Sequence, residues 1–214
     1  MVCCLFLFDD APVPDDPRGF RQNKFQISML DGLTKNQPVC CVTYFCAPCC
    51  AYYTRYRVLD SDMSRYICCQ GYFNCACFEA GKCGEPSCPE FCLALEACCC
   101  LGPSMSASRM FMMDMYELQS DPMDNRIVRF NNCLQVLSCI CHILAMFDRN
   151  LGELAGIIDW IAKIVFYCTI GCMAAQVNHE IDYRKTAKGQ AEEYAAYPVA
   201  SPIMSEQTEP LKKY

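Results

Sequence analysis

Apolar positions along this chain fall in long blocks that repeat at helical spacing. In "MDNRIVRFNNCLQVLSCICHILAMF" they recur at 127, 130, 134, 137, 141 and 144, which places them on one helical face. Asp121-Pro122 supplies an N-cap and a first-turn proline for this helix. The same dipeptide closes the preceding segment, "SMSASRMFMMDMYELQSDP", which reads as a helix that Ser104 or Ser106 can cap. "GELAGIIDWIAKIVFYCTIGCMAAQVNHEIDYR" is the longest mostly apolar run, and Asp159 and Lys163 share one of its faces as an i,i+4 pair. Alternation in "KFQISML" hints at a short strand. The pattern predicts a mostly α fold: a small cysteine-rich helical domain with a loop-rich cysteine cluster and minor β at most.

Composition shifts divide the chain further. Residues 1–37 join an apolar tip, "MVCCLFLF", to an acidic, proline-rich linker, "DDAPVPDDP", and a mixed segment. Residues 38–188 form the cysteine-rich helical domain, with 68–100 as a cysteine-dense insertion. Residues 189–214 are a polar, proline-dotted tail expected to be disordered. Uncharged runs at 36–54, 130–147 and 164–178 each fall short of the ~20 residues of an unaided membrane span, and Pro48 interrupts the first. They read as buried helices, in-plane amphipathic helices or short spans, so membrane association is expected and spanning is left open.

Charge narrows the partners. The net charge is −6 and the pI about 4.9, with Lys and Arg scattered along the chain. A nucleic-acid partner needs a basic stripe and is excluded on that ground. Cysteine is the outlier, with 22 residues, the level of a disulfide scaffold or a metal protein. The start, "MVCCLFLFDDAPVPDDP", has no basic residue ahead of its apolar run, and Asp9 and Asp10 close that run early. That is not a secretory signal pattern. The expected setting is therefore the reducing, cytosolic face of a plasma membrane or endomembrane, where disulfides do not persist. The thiols are then metal ligands, lipidation sites or small buried hydrophobes.

Two constellations have metal-type spacing. Cys46-x-x-Cys49, with a helix-breaking Pro48 between them, can be completed by Cys168 and Cys172, four apart on one helical face. The other reading of that second pair is plain core packing. In "NCACFEAGKCGEPSCPEF", Cys75, Cys77, Cys83 and Cys88 lie in a loop whose glycines and prolines let it wrap an ion, zinc being the candidate cofactor. Runs of adjacent thiols, Cys3-Cys4 and Cys98-Cys99-Cys100, point apart on a regular backbone and suit S-acylation better than one metal. Cys3 and Cys4 sit in an apolar tip where two acyl chains would anchor stably. Val2 excludes N-myristoylation, and the C-terminus has no prenylation box. His142 reads as a satisfied core residue and His179 as a ligand or a helix C-terminal charge. No phosphate loop, nucleophile elbow or zincin pattern is present, so no catalytic residues and no enzyme are expected. The segment 110–115, holding Met110, Met112, Met113 and Met115, reads as core or as an adaptable surface for a protein partner.

Two segments together resemble the cysteine-rich placenta-specific-eight family, which includes plant cadmium-resistance proteins and the cell-number and fruit-weight regulators. The first is "CVTYFCAPCCAYYTRYRVLDSD", a cysteine-proline-cysteine cluster followed by a basic residue and a polar loop. The second is "FYCTIGCMAAQVNHEIDYR", with Cys168, Cys172, Gln176, Glu180 and Arg184 in the family's order; "RIVRF" (126–130) is similar to its paired arginines. The resemblance covers roughly 40–60 and 126–184. It implies a helical, membrane-associated homo-oligomer linked to divalent-metal (zinc, cadmium or calcium) handling, transport or growth control. Asp159 and Lys163 facing an oligomer axis would then be an ion path. The alternative is a structural adaptor with zinc-stapled or packed cysteines and a methionine-rich partner surface.

Overall fold

The computed structural model describes residues 16–73, 80–81 and 84–186. The chain there is mostly helical: α1 (Met29–Lys35), α2 (Gln37–Phe45), α3 (Ala47–Val58), α4 (Pro89–Cys99), α5 (Leu101–Met115), α6 (Pro122–Phe147) and α7 (Gly152–Thr186). A proline stands in the first turn of α2, α3, α4 and α6, where its missing N–H costs nothing. Asp121 precedes Pro122 as the N-cap residue of α6, as the sequence predicts, while α5 starts earlier than its serines suggest and buries Ser104.

The inner part of α7 is the axis of the body. From 169 to 181 every residue except His179 is buried, because α1, α2, α3, α5 and the start of α6 pack around it. α2 descends α7 antiparallel: Asn36 Nδ2 reaches the Ala175 carbonyl at 3.4 Å and the Cys40 thiol lies 3.7 Å from the Gly171 carbonyl. Gly32 of α1 comes so close that an added Cβ would stand 3.0 Å from the Ala175 Cβ, so glycine sets that approach. α3 and α5 run the other way. Thr54 pairs with Asn178, and Gly102 lies beside Phe166 while Met112 packs with Val177 and Ile181.

Before residue 169 the surroundings of α7 change. The outer stretches of α6 and α7 form an antiparallel hairpin whose apolar side chains face outward, among them Ile140, Ile143, Leu144, Ile157, Ile161 and Ile164. Small residues close its seam: Ser138, Ala155 and Ala162 are buried, and Gln135 Nε2 donates to the Ala162 carbonyl at 2.8 Å. Both α6 and α7 are long and apolar enough to cross a membrane.

Residues 16–37 belong to the body. β1 (Asn23–Lys24) pairs in parallel with β2 (Leu118–Gln119). Arg18 grips the Asp114 carboxylate with two donors at 2.7 Å, and Arg21 adds a third at 2.8 Å. The predicted apolar tip, the first part of the acidic linker and the polar tail lie outside the described residues.

Burial raises the Asp114 carboxyl, but hydrogen bonds from Arg18, Tyr72 and Arg21, with the Arg18 charge, outweigh it and hold the group below the usual carboxylate range. A carboxyl depressed in the folded state stabilises above its unfolded pKa near ~4 and loses that contribution as pH falls through the folded pKa. Denaturant unfolding of the wild type should therefore weaken on acidification below about pH 4. Asp114→Asn should start about 2 kcal/mol less stable at neutral pH and lose less on acidification; parallel pH profiles for the two would refute the assignment.

Candidate functional site

Glu96 is an acid set in an otherwise uncharged stretch of α4, and the structure shows why it is tolerated. Its side chain is buried and faces Arg55 of α3, which is also fully buried; Arg55 Nη2 stands 3.3 Å from Oε1. Tyr66 donates its hydroxyl to Oε2 at 2.8 Å, and the Cys69 backbone N–H donates to the same oxygen at 2.7 Å. Arg55 in turn donates to Ser108 Oγ at 2.9 Å and to the Ser104 carbonyl at 2.8 Å. An acid and a base buried together in this way hold three elements against α5.

The Cys69 N–H reaches Glu96 because the chain turns sharply. Cys69 and Gln70 both adopt left-handed backbone angles, with φ of 47° and 48°, a conformation that non-glycine residues hold only when neighbours over-determine it. Gln70 fixes the turn from within by accepting the Ile67 N–H at 2.9 Å. Buried Glu85 ties on the following loop, accepting both the Cys68 N–H and the Gly81 N–H. The turn thereby brings Cys68 Sγ, Cys69 Sγ and a Glu96 carboxylate oxygen within 4.8 Å of one another.

Two sulfurs and one carboxylate oxygen are a donor set that zinc or cadmium accepts, three of four tetrahedral positions. The site is not preformed for a cation. Burial, followed by the Glu96 charge, pushes the Cys68 thiol up to about 11 and raises Cys69 as well. A bound metal would have to displace protons from both thiols and compete with Arg55 for Glu96.

The thiols that the sequence spacing singles out are placed otherwise. Cys46 and Cys49 are bonded to each other as a disulfide at the start of α3, so they offer no thiolates and the expectation of thiols free throughout is not met there. Helix geometry explains the pairing: Cys46 is the N-cap residue of α3, and one turn brings Cys49 to a Cα distance of 5.3 Å. Cys172 is buried in the core cluster with Cys50, and its thiol neighbours are Cys40 and Cys168. The four residues Cys46, Cys49, Cys168 and Cys172 are not brought together over one point; among the described residues Cys68, Cys69 and Glu96 are the one such group. Cys88 is exposed ahead of α4, and Cys75, Cys77 and Cys83 lie outside the described residues, as do Cys3 and Cys4.

The methionine segment is core. Met112 and Met113 are buried, and Phe111 and Met115 pack against the cluster of Val58, Val177 and Ile181, because α5 is wedged between α3 and α7.

A second polar group lies on the hairpin. Asp159 pairs with Lys163 at 2.7 Å, accepts from Ser138 Oγ at 3.2 Å, and stands 3.7 Å from His142 Nε2. His142 is thus not a core residue: its side chain is 54% exposed, on a stretch of α6 that packs along α7. Sequence reasoning missed Arg55, Cys68, Cys69 and Glu96 as a set. The available signal was Glu96 itself, a lone charge in "FCLALEACCC", which demands a buried partner.

No family model, curated protein or solved structure matches the chain.

Replacing Glu96 by Ala should leave Arg55 buried without a counter-charge and cost about 3–5 kcal/mol in unfolding free energy. Cys68→Ser, beside it and half-buried, should cost less than about 1 kcal/mol. Denaturant titration of both variants checks the ranking, and equal losses would remove Glu96 from its central place.

Proposed function

We propose that the protein is a non-catalytic, membrane-anchored module in which the outer α6–α7 hairpin sits in the bilayer and holds a thiol-rich body at the membrane surface, where it handles divalent metal. The observation that carries the membrane reading is the contrast in burial along α7. Its inner part is enclosed by protein, while on the outer hairpin Trp160 is 66%, Met146 83% and Phe147 85% exposed. The uncharged run at 130–147 makes about 27 Å of helix at ~1.5 Å per residue, against a hydrocarbon core of ~30 Å. The small-residue seam suits helix pairing in lipid.

The Asp159–Lys163 pair reduces the cost of two charges at hairpin depth. Lys163 and His142 remain 65% and 54% exposed. Lipid penalises that exposure, and a second copy packed over the face would relieve it, which supports a homo-oligomer with this group as its ion path. Cys68, Cys69 and Glu96 support the metal-handling part: an incomplete donor set favours exchange over a permanent staple. S-acylation of Cys3 and Cys4 would add a second anchor to the same membrane.

In carbonate extraction of cell membranes the wild-type chain should stay in the pellet, and Ile140→Glu with Ile157→Glu should move most of it to the supernatant. A wild-type chain released by carbonate would end the hairpin reading. Separately, protein purified under reducing conditions should bind added zinc or cadmium, and Cys68→Ser with Cys69→Ser should abolish the tighter phase in a metal titration. Identical titrations of variant and wild type would end the assignment of metal to this group.

A further inference from the structure

We infer that the elbow between α4 and α5 is an S-acylation site, with Cys98, Cys99 and Cys100 as the acceptors and a long-chain acyl-coenzyme A as the acyl source. Three observations meet there. The three consecutive thiols are all exposed, where the chain bends by 118° between the two helices. Residues 97–108 carry no charge, and Glu96, the acid immediately before them, is turned inward onto Arg55. The elbow also lies at the root of the hairpin: Leu101 packs into the core cluster beside Phe166, and a Cβ on Gly102 would stand 3.4 Å from the Phe166 ring. Phe166 is three residues short of Thr169, where α7 passes from exposed to enclosed.

Several features mark this end of the body as the surface that meets lipid. α2 descends toward the same level of α7 and ends in Tyr44 and Phe45, exposed by 77% and 86%. On α4, Leu95, three residues before the first elbow thiol, is exposed. The opposite end of the body is charged, with Arg57 paired to Asp182 and Lys185 to Asp60. Acyl chains on the elbow thiols would enter the layer that the hairpin occupies, and two chains hold a surface where one exchanges.

The transfer balances without redox chemistry. A cysteine thiolate attacks the acyl carbonyl carbon, directly or after a membrane acyltransferase has taken the acyl group onto its own thiol. The carbon–sulfur bond to coenzyme A breaks, a carbon–sulfur bond to the cysteine forms, and coenzyme A leaves as a thiol carrying the proton the cysteine gave up.

The inference rests on the hairpin lying in the membrane, and the test separates the two. Full-length chain is expressed in cells, and its membranes are analysed by hydroxylamine-dependent exchange of thioester-linked acyl groups for a mass tag, alongside carbonate extraction. Wild type should gain at least one tag. Cys98→Ser with Cys99→Ser and Cys100→Ser should lose the tag or drop by the number of elbow tags, and should stay in the carbonate pellet through the hairpin. Cys3→Ser with Cys4→Ser should keep the elbow tag. A wild-type chain without tag, or a triple-serine variant tagged as fully as wild type, overturns acylation at the elbow. If that chain still stays in the pellet, the hairpin reading stands alone. An elbow tag on a chain that carbonate releases after hydroxylamine treatment supports the acylation and removes the hairpin.

Discussion

The structure depends on burying polar side chains on every side of one helix. Between 169 and 181, α7 buries every residue but His179, and among the buried ones are Gln176, Asn178 and Glu180. Each is satisfied by a different neighbour. Gln176 accepts from Arg109 of α5 at 2.9 Å and donates to Asp124 of α6 and to the Ile27 carbonyl. Asn178 accepts from Arg57 and donates to Thr54, both on α3. Glu180 accepts the Gln26 N–H and pairs with Arg184, whose guanidinium lies over the Tyr116 ring. Buried polar groups tolerate few alternative partners, so these contacts fix the rotation and height of α7 more sharply than apolar packing would.

That fixed axis sets the geometry of everything else. Asp124 also accepts the Met29 N–H at the start of α1 and pairs with Arg109 at 2.8 Å, so α1, α5, α6 and α7 meet at one carboxylate. With α6 pinned there, the rest of α6 and the outer part of α7 leave the body together as a hairpin. The breaks between α2 and α3 and between α4 and α5 fall toward the hairpin root, and both carry cysteines: Cys46 at one, Cys98 to Cys100 at the other. The charged contacts of Arg57, Asp60, Asp182 and Lys185 collect at the far end. The body is polarised along α7 in the direction a membrane would select.

The cysteines divide by environment into different chemistries. Cys50 and Cys172 are small core residues. Cys68 and Cys69 stand beside a carboxylate that Arg55 has already claimed. Cys98, Cys99 and Cys100 face outward at an apolar edge. Identical side chains are thus placed in different surroundings by burial and neighbouring charge.

Much of the secondary structure was legible along the chain. Helical spacing and Asp121-Pro122 place α6, and the long apolar run places α7, because local periodicity and first-turn chemistry act over a few residues. The i,i+4 pairing of Asp159 and Lys163 was readable for the same reason. The thiol pairings were not. Cys46-x-x-Cys49 and Cys168-x-x-x-Cys172 have metal-like spacing, but spacing along one helix says nothing about which face meets another. The descent of α2 along α7 sends Cys40 toward Cys172 and leaves Cys46 to Cys49. Nor could the order of residues reveal that Arg55 and Glu96 share a buried pocket, or that one half of α7 is enclosed while the other stands bare. By itself the sequence determined a helical, cysteine-rich chain with apolar runs that left membrane spanning open. The tertiary structure decided which thiols face a carboxylate, which face outward and which half of α7 is free, since those depend on contacts between residues up to about 150 positions apart.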